Sequence, residues 1–162
     1  MIDNLEITFR LASAVLIGAI IGLNRSLRGK PSGMKTLGLV ALGASLVTMA
    51  GTGFELEPAT RDTAAVSRVI QGIITGIGFL GAGVIVHESG YEKVRGLTTA
   101  ASIWVTAAIG IVCGMGEWKV ACIAALIVLA MFIIGRPLEH ALQRRWMDKS
   151  DDERETIDRL EE

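Results

Sequence analysis

The sequence predicts an all-α membrane protein, a bundle of five transmembrane helices followed by a short charged tail. Three observations support this: hydrophobic residues make up 51% of the 162 positions, mean hydropathy is +0.48, and the apolar residues fall into five separate runs. Charge is unevenly placed, since 15 of the 33 charged residues lie in the last 27 positions. This pattern excludes a disordered chain, a disulfide scaffold and an ordinary soluble enzyme.

The five apolar runs are the candidate spans, at residues 7–23, 37–53, 69–86, 97–113 and 120–135. Each is near the short end of the roughly 17–25 residues that a membrane helix needs. The first run is predicted to be a retained helix and not a signal peptide, because no basic cluster precedes it. Residues 1–135 are therefore assigned to a transmembrane domain, and residues 136–162 to an amphipathic cytoplasmic tail.

Lys and Arg residues in the connectors predict the orientation. The first connector, the third connector and the tail lie on one side if the spans alternate, and they hold 12 basic residues against 4 on the other side. We therefore expect the N-terminus outside and the tail in the cytoplasm.

The third span is unusually rich in glycine, which lets a neighbouring helix backbone approach closely. Gly72 and Gly76 form a GxxxG pair, and further small residues follow. We predict a helix-packing or partner surface, used within the fold, for self-association or for another protein. Its members are Gly72, Gly76, Gly78, Gly81 and Gly83.

Hydroxyl side chains follow one face of the fourth span. Thr98, Ser102 and Thr106 recur at four-residue spacing, with Thr99 beside them. They either line a polar path or form hydrogen bonds between helices and to their own carbonyls. Three other hydroxyls extend this seam if helices two to four face one another: Ser45, Thr48 and Thr75.

Ionisable residues are missing from the middle of every span, which argues against a proton-coupled pump. Asp62 precedes the third span, and Mg²⁺ needs only one or two carboxylates, so Asp62 is a candidate Mg²⁺ contact or simply a helix-end charge. Catalytic motifs are not recognisable, so we expect no enzyme and no cofactor, with Mg²⁺ a possible transported or sensed ion. A net charge of −1 gives no indication of nucleic-acid binding.

Three blocks in order resemble the MgtC/SapB family of bacterial membrane proteins. They are IIGLNR with SGMKTLGLVALGA (20–25 and 32–44), GIGFLGAGVI (76–85) and VRGLTTAASIW (94–104). Asn24 departs from the pattern, because the family usually has Glu before the first-loop arginine. The resemblance singles out these polar and loop residues: Arg25, Arg68, Arg95, Gly96, Thr98, Thr99, Ser102 and Trp104.

The resemblance implies a multi-pass protein of the bacterial inner membrane, associated with magnesium-limited growth and virulence. It implies a short form that lacks the C-terminal soluble domain of longer members. It also implies a regulator that binds the membrane sector of the F-type ATP synthase through helix–helix contacts, and we expect a homo-oligomer in the lipid bilayer. The alternative is a divalent-cation transporter or channel for Mg²⁺.

Overall fold

The computed structural model describes residues 4–53, 62–87 and 94–147. Five helices, each long and apolar enough to cross a membrane, account for most of this part of the chain. They are α1 (Asn4–Leu27), α2 (Met34–Gly51), α3 (Thr63–Val84), α4 (Leu97–Met115) and α5 (Trp118–Met147). The predicted all-α membrane bundle of five helices is confirmed, and its orientation stays a prediction.

Between α3 and α4 the chain forms a short antiparallel strand pair. Strand β1 (Val86–His87) pairs with β2 (Val94–Arg95), with Val86 opposite Arg95. This pair brings the end of α3 close to the start of α4.

Two compact units divide the chain, Met1–Leu126 and Ile127–Glu162, and their boundary falls within α5. In the second unit, α5 continues through Pro137 to Met147. The predicted boundary between span and tail at residue 135 is therefore not a helix end. The predicted tail from residue 148 onward lies outside the described residues.

The core of the first unit is built by α1, α2 and α4. Helix α2 packs against both of the others, and α1 also contacts α4. In the most apolar 18-residue window of each helix, 56% of α4 and 39% of α2 is buried, whereas none of α3 is. Helix α3 packs on α4 and α2 from one side only.

Contact between α1 and α2 depends on a GxxxG pair in α1. A Cβ placed on Gly18 would lie 2.6 Å from the carbonyl oxygen of Leu37, and one on Gly22 would lie 2.6 Å from that of Gly33. Real Cβ atoms do not approach backbone atoms so closely, so only glycine allows this helix spacing.

A second GxxxG pair, in α4, allows a similarly close approach to α2. A Cβ on Gly110 would overlap the carbonyl oxygen of Ala41, and one on Gly114 would lie 2.7 Å from that of Ser45. Because residue numbers rise together along this contact, α2 and α4 run parallel, as alternating spans require. Helix α2 thus packs against a glycine face of α1 and a glycine face of α4.

The glycines of α3 do not pack in this way. An added Cβ would meet nothing within 4 Å at four of the five predicted positions: Gly72, Gly76, Gly78 and Gly83. Only Gly81 is buried, where a Cβ would lie 3.7 Å from that of Ala100. Of the three uses that the sequence left open, packing within the described part of the fold does not apply to those four, because α3 turns isoleucines towards the core: Ile70, Ile73 and Ile77.

Replacing Gly110 by alanine should lower the free energy of unfolding by about 1–3 kcal/mol, because the new Cβ forces α2 and α4 apart. Gly43 of α2 has open space around it, so Gly43→Ala supplies the control. Chemical unfolding in detergent micelles measures both. Equal stability of the two variants would contradict the close contact.

Candidate functional site

Seven polar side chains are buried in the part of the chain that the structure describes, and we call them the buried polar row. Each is at most 5% exposed. Polar and charged groups inside a membrane protein are costly unless they are paired, and they commonly mark functional positions. The members are Arg10 and Arg25 of α1, Ser45 and Thr48 of α2, and Thr99, Ser102 and Thr106 of α4.

Arg25 joins three parts of the fold at one end of the row. Its Nη2 donates to Thr99 Oγ1 at 2.8 Å and to the Pro31 carbonyl at 3.0 Å, and its Nε donates to the same carbonyl at 3.2 Å. Ser102 Oγ extends the row by donating to the Thr99 carbonyl at 2.7 Å. The preceding Asn24 has a buried Oδ1 with no hydrogen-bond partner among the described residues. Arg25 thus fastens α1 and its following connector to the start of α4.

Arg10 makes an equivalent connection at the other end. Its Nε donates to Glu6 Oε1 at 2.7 Å, and its Nη1 donates to the Gly114 carbonyl at 2.8 Å. A Cβ on Gly116, whose φ is +80°, would lie 2.7 Å from Arg10 Nη2, so the guanidinium fills the space of a missing side chain. This fastens the start of α1 to the end of α4.

Sequence reasoning missed Arg10 as a site residue, because it counted the residue only as a charge near the start of a span. A signal was present, since Glu6 lies one helical turn before Arg10 and can pair with it. The two arginines are 15 residues apart on one helix, which corresponds to about 22 Å. They therefore secure α1 to α4 at two distant levels.

Three further hydroxyl groups belong to the row. Thr48 Oγ1 donates to the Ala44 carbonyl of its own helix at 2.8 Å. Ser45 and Thr106 are fully buried, and neither hydroxyl has a hydrogen-bond partner among the described residues. These two are the unsatisfied groups that a buried water or a passing polar species would contact.

The predicted hydroxyl stripe is only partly correct. Ser102 and Thr106 belong to the buried row, but Thr98 is exposed and Thr99 takes the inner position. Adjacent helical residues point about 100° apart, so only one of the two threonines can face α1. Thr75 of α3 is also outside the row, since it is exposed and donates to the Gln71 carbonyl.

Gly96 is required by the backbone at the start of α4. Its φ is +95°, and a Cβ there would overlap the carbonyl oxygen of Val84. Arg95 lies beside it in β2, and Trp104 is 48% exposed on the outer side of α4. Of these three family-motif residues, only Gly96 is explained by close packing.

Asp62 is a helix cap. Its Oδ1 accepts from the backbone N–H of Ala64 at 2.9 Å, and its other oxygen lies 4.0 Å from Arg68 Nη2. Both side chains are largely exposed. Within residues 4–53, 62–87 and 94–147, no group of three or more His, Cys, Asp or Glu residues could hold a metal ion. The Mg²⁺ contact at Asp62 stays a prediction.

The chemistry of the buried polar row favours a role in holding α1 to α4 over a role in cation transfer. A guanidinium stands at each end, and fixed positive charge opposes the entry of a cation. Charge-assisted hydrogen bonds from these groups are strong in surroundings of low dielectric constant.

Replacing Thr99 by valine should lower the free energy of unfolding by about 1.5–3 kcal/mol, because Arg25 loses a charge-assisted hydrogen bond. The neighbouring exposed Thr98 provides the control, and Thr98→Val should change stability by less than about 0.5 kcal/mol. Thermal or chemical unfolding of the two purified variants measures the difference. A valine at 98 that destabilises as much as one at 99 would refute the role of the hydrogen bond.

Comparisons with known proteins identify the family. The model of the MgtC family matches residues 11–141. Protein SrpB of Synechococcus elongatus is 45% identical over 133 residues, which cover 78% of this chain and 73% of SrpB. Protein MgtC of Salmonella typhimurium is 42% identical over 134 residues, covering 83% of this chain and 53% of that protein. Protein MgtC of Brucella abortus is 38% identical over 133 residues, covering 82% and 52%.

This chain therefore spans about half the length of the MgtC proteins it matches. No solved structure matches it. The arginine and glycine positions that hold the core together lie within the matched residues, apart from Arg10, which immediately precedes them. The family resemblance of the sequence is thus confirmed, and the chain is a membrane protein of the MgtC family.

Proposed function

We propose that this chain is a bacterial inner-membrane regulator linked to Mg²⁺ homeostasis, which acts through helix–helix contacts made by α3. The observation that carries the proposal is the open face of α3, called here the α3 outer face. Its members recur at three- and four-residue spacing and have exposed positions: Gly72, Thr75, Gly76, Phe79 and Gly83.

The α3 outer face differs from other exposed surfaces of the same unit. Helix α1 exposes Leu16 and Ile20, and the first part of α5 exposes Ile123 and Leu126. Such large aliphatic side chains suit contact with lipid tails. The α3 outer face instead holds three glycines and Thr75 beside one large side chain, Phe79, which is 82% exposed. Glycine and threonine offer lipid little contact area, but they let the backbone of a second helix approach closely. This contrast supports a protein partner for α3.

The rigid core supports the same proposal. Arg10 and Arg25 hold α1 to α4 at two levels, and α2 packs against the glycine faces of both helices. Helix α3 rests on this scaffold through one side, so its outer face is presented without rearrangement of the core. A preorganised surface loses little conformational entropy when a partner binds.

The proposed partners are the membrane sector of the F-type ATP synthase and a second copy of this chain. The ATP synthase and the magnesium link come from the resemblance to the MgtC/SapB family. Both partners present apolar helices within the bilayer, which is the environment in which the α3 outer face lies.

A divalent-cation route is the second candidate, and one observation favours it. Ser45 and Thr106 have buried hydroxyls without partners among the described residues, as expected of groups that contact a hydrated ion. Uptake of Mg²⁺ into proteoliposomes tests this candidate, with Thr106→Val expected to abolish saturable uptake. Uptake equal to that of empty liposomes would eliminate it.

Replacing Gly76 by leucine should weaken association at least about tenfold, because the bulky side chain keeps a partner helix away from the α3 backbone. Gly43→Leu is the matched control, since Gly43 also faces open space but lies on α2. Energy transfer between labelled copies in liposomes measures self-association, and co-purification from inner membranes measures ATP synthase binding. If both variants associate like the unmodified protein in both assays, the α3 outer face is not the contact.

A further inference from the structure

The connector between α1 and α2 carries a concentrated positive charge. Residues 25–35 contain four basic residues and no Asp or Glu. Arg25 is turned inward onto Pro31 and Thr99, which leaves three cations towards the surface. Arg28 is half-buried, whereas Lys30 and Lys35 are exposed.

The backbone of this connector is held in a defined shape. The N–H groups of Arg28 and Lys30 both donate to the Arg25 carbonyl, at 3.1 and 3.0 Å, and Gly29 turns the chain with a φ of +63°. The guanidinium of Arg25 also binds the carbonyl of Pro31. Arg28 and Lys30 are therefore attached to a defined turn and Lys35 to the first turn of α2. This backbone order lowers the entropy lost when they bind a ligand.

The start of α2 adds to the positive potential. Its N-cap residue is Gly33, which supplies no side-chain hydrogen bond to the first N–H groups of the helix. Helix α3 is different, because the carboxylate of Asp62 caps it. An uncapped helix N-terminus carries a partial positive charge that attracts anions.

Apolar side chains adjoin the same cations. Leu23 and Leu27, one helical turn apart on α1, are 44% and 79% exposed, and Met34 at the start of α2 is 46% exposed. A soluble anion would leave these apolar side chains uncovered. A phospholipid fits both features, since its phosphate meets the cations while its acyl chains cover the leucines.

We propose that this connector and the adjoining ends of α1 and α2 bind the headgroup of an anionic phospholipid. The cations Arg28, Lys30 and Lys35 contact the phosphate region, and Leu23 and Leu27 contact the acyl chains. The site is separate from the α3 outer face and does not depend on it.

Native mass spectrometry of the full chain, incubated with equal amounts of phosphatidylglycerol and phosphatidylcholine, tests the proposal. We expect retained phosphatidylglycerol to exceed phosphatidylcholine on the order of a hundredfold, because each of the three cations that contact the phosphate region favours anionic lipid roughly fivefold. The triple variant R28Q/K30Q/K35Q should bring the two lipids close to parity. The single variant K30Q should reduce the preference roughly fivefold, and it serves if the triple variant fails to fold.

The matched control is R68Q/K119Q/R144Q, which removes three exposed basic side chains elsewhere and should keep the full preference. Excess glycerol 3-phosphate should not displace the lipid, since it lacks acyl chains. Displacement would reassign the site to a soluble phosphate. An unmodified chain without preference, or a triple variant that retains it, would overturn the proposal.

Discussion

The close approach of the α2 backbone to α1 and α4 is the constraint on which the rest of this structure depends. Gly18 and Gly22 allow it on one side, and Gly110 and Gly114 allow it on the other. Because α1 and α4 present no side chain at these contacts, both pack close to α2 and near enough to each other for side chains to join them. The arginine contacts between α1 and α4 are possible only at this spacing.

The same constraint gives the polar residues of the core their roles. Arg10 reaches the carbonyl of Gly114, and Arg25 reaches the hydroxyl of Thr99. Both arginines are buried, so leaving either guanidinium unpaired would be costly. Glycine packing and arginine pairing are therefore interdependent, and together they produce a rigid three-helix core. Helix α3 lies outside that core, and four of its five span glycines face open space.

Close packing and surface chemistry are separated in this fold. The contacts that hold the helices together are on the inner faces of α1, α2 and α4. The features available to other molecules are the α3 outer face and the basic connector that follows Arg25. The connector depends on the core as well, since the guanidinium that shapes it is anchored on α4 through Thr99. A membrane protein of this size can in this way present two different surfaces on one scaffold.

The sequence by itself determined the membrane class, the five helices and the family, because apolar length and motif order are local properties of the chain. Only the tertiary structure distinguished the GxxxG pair at Gly18 and Gly22, which packs, from the one at Gly72 and Gly76, which does not. It also placed Thr99 inside and Thr98 outside. The physical reason is that equal spacing places residues on one face of a helix, whereas the rotation of that helix towards its neighbours depends on the whole bundle.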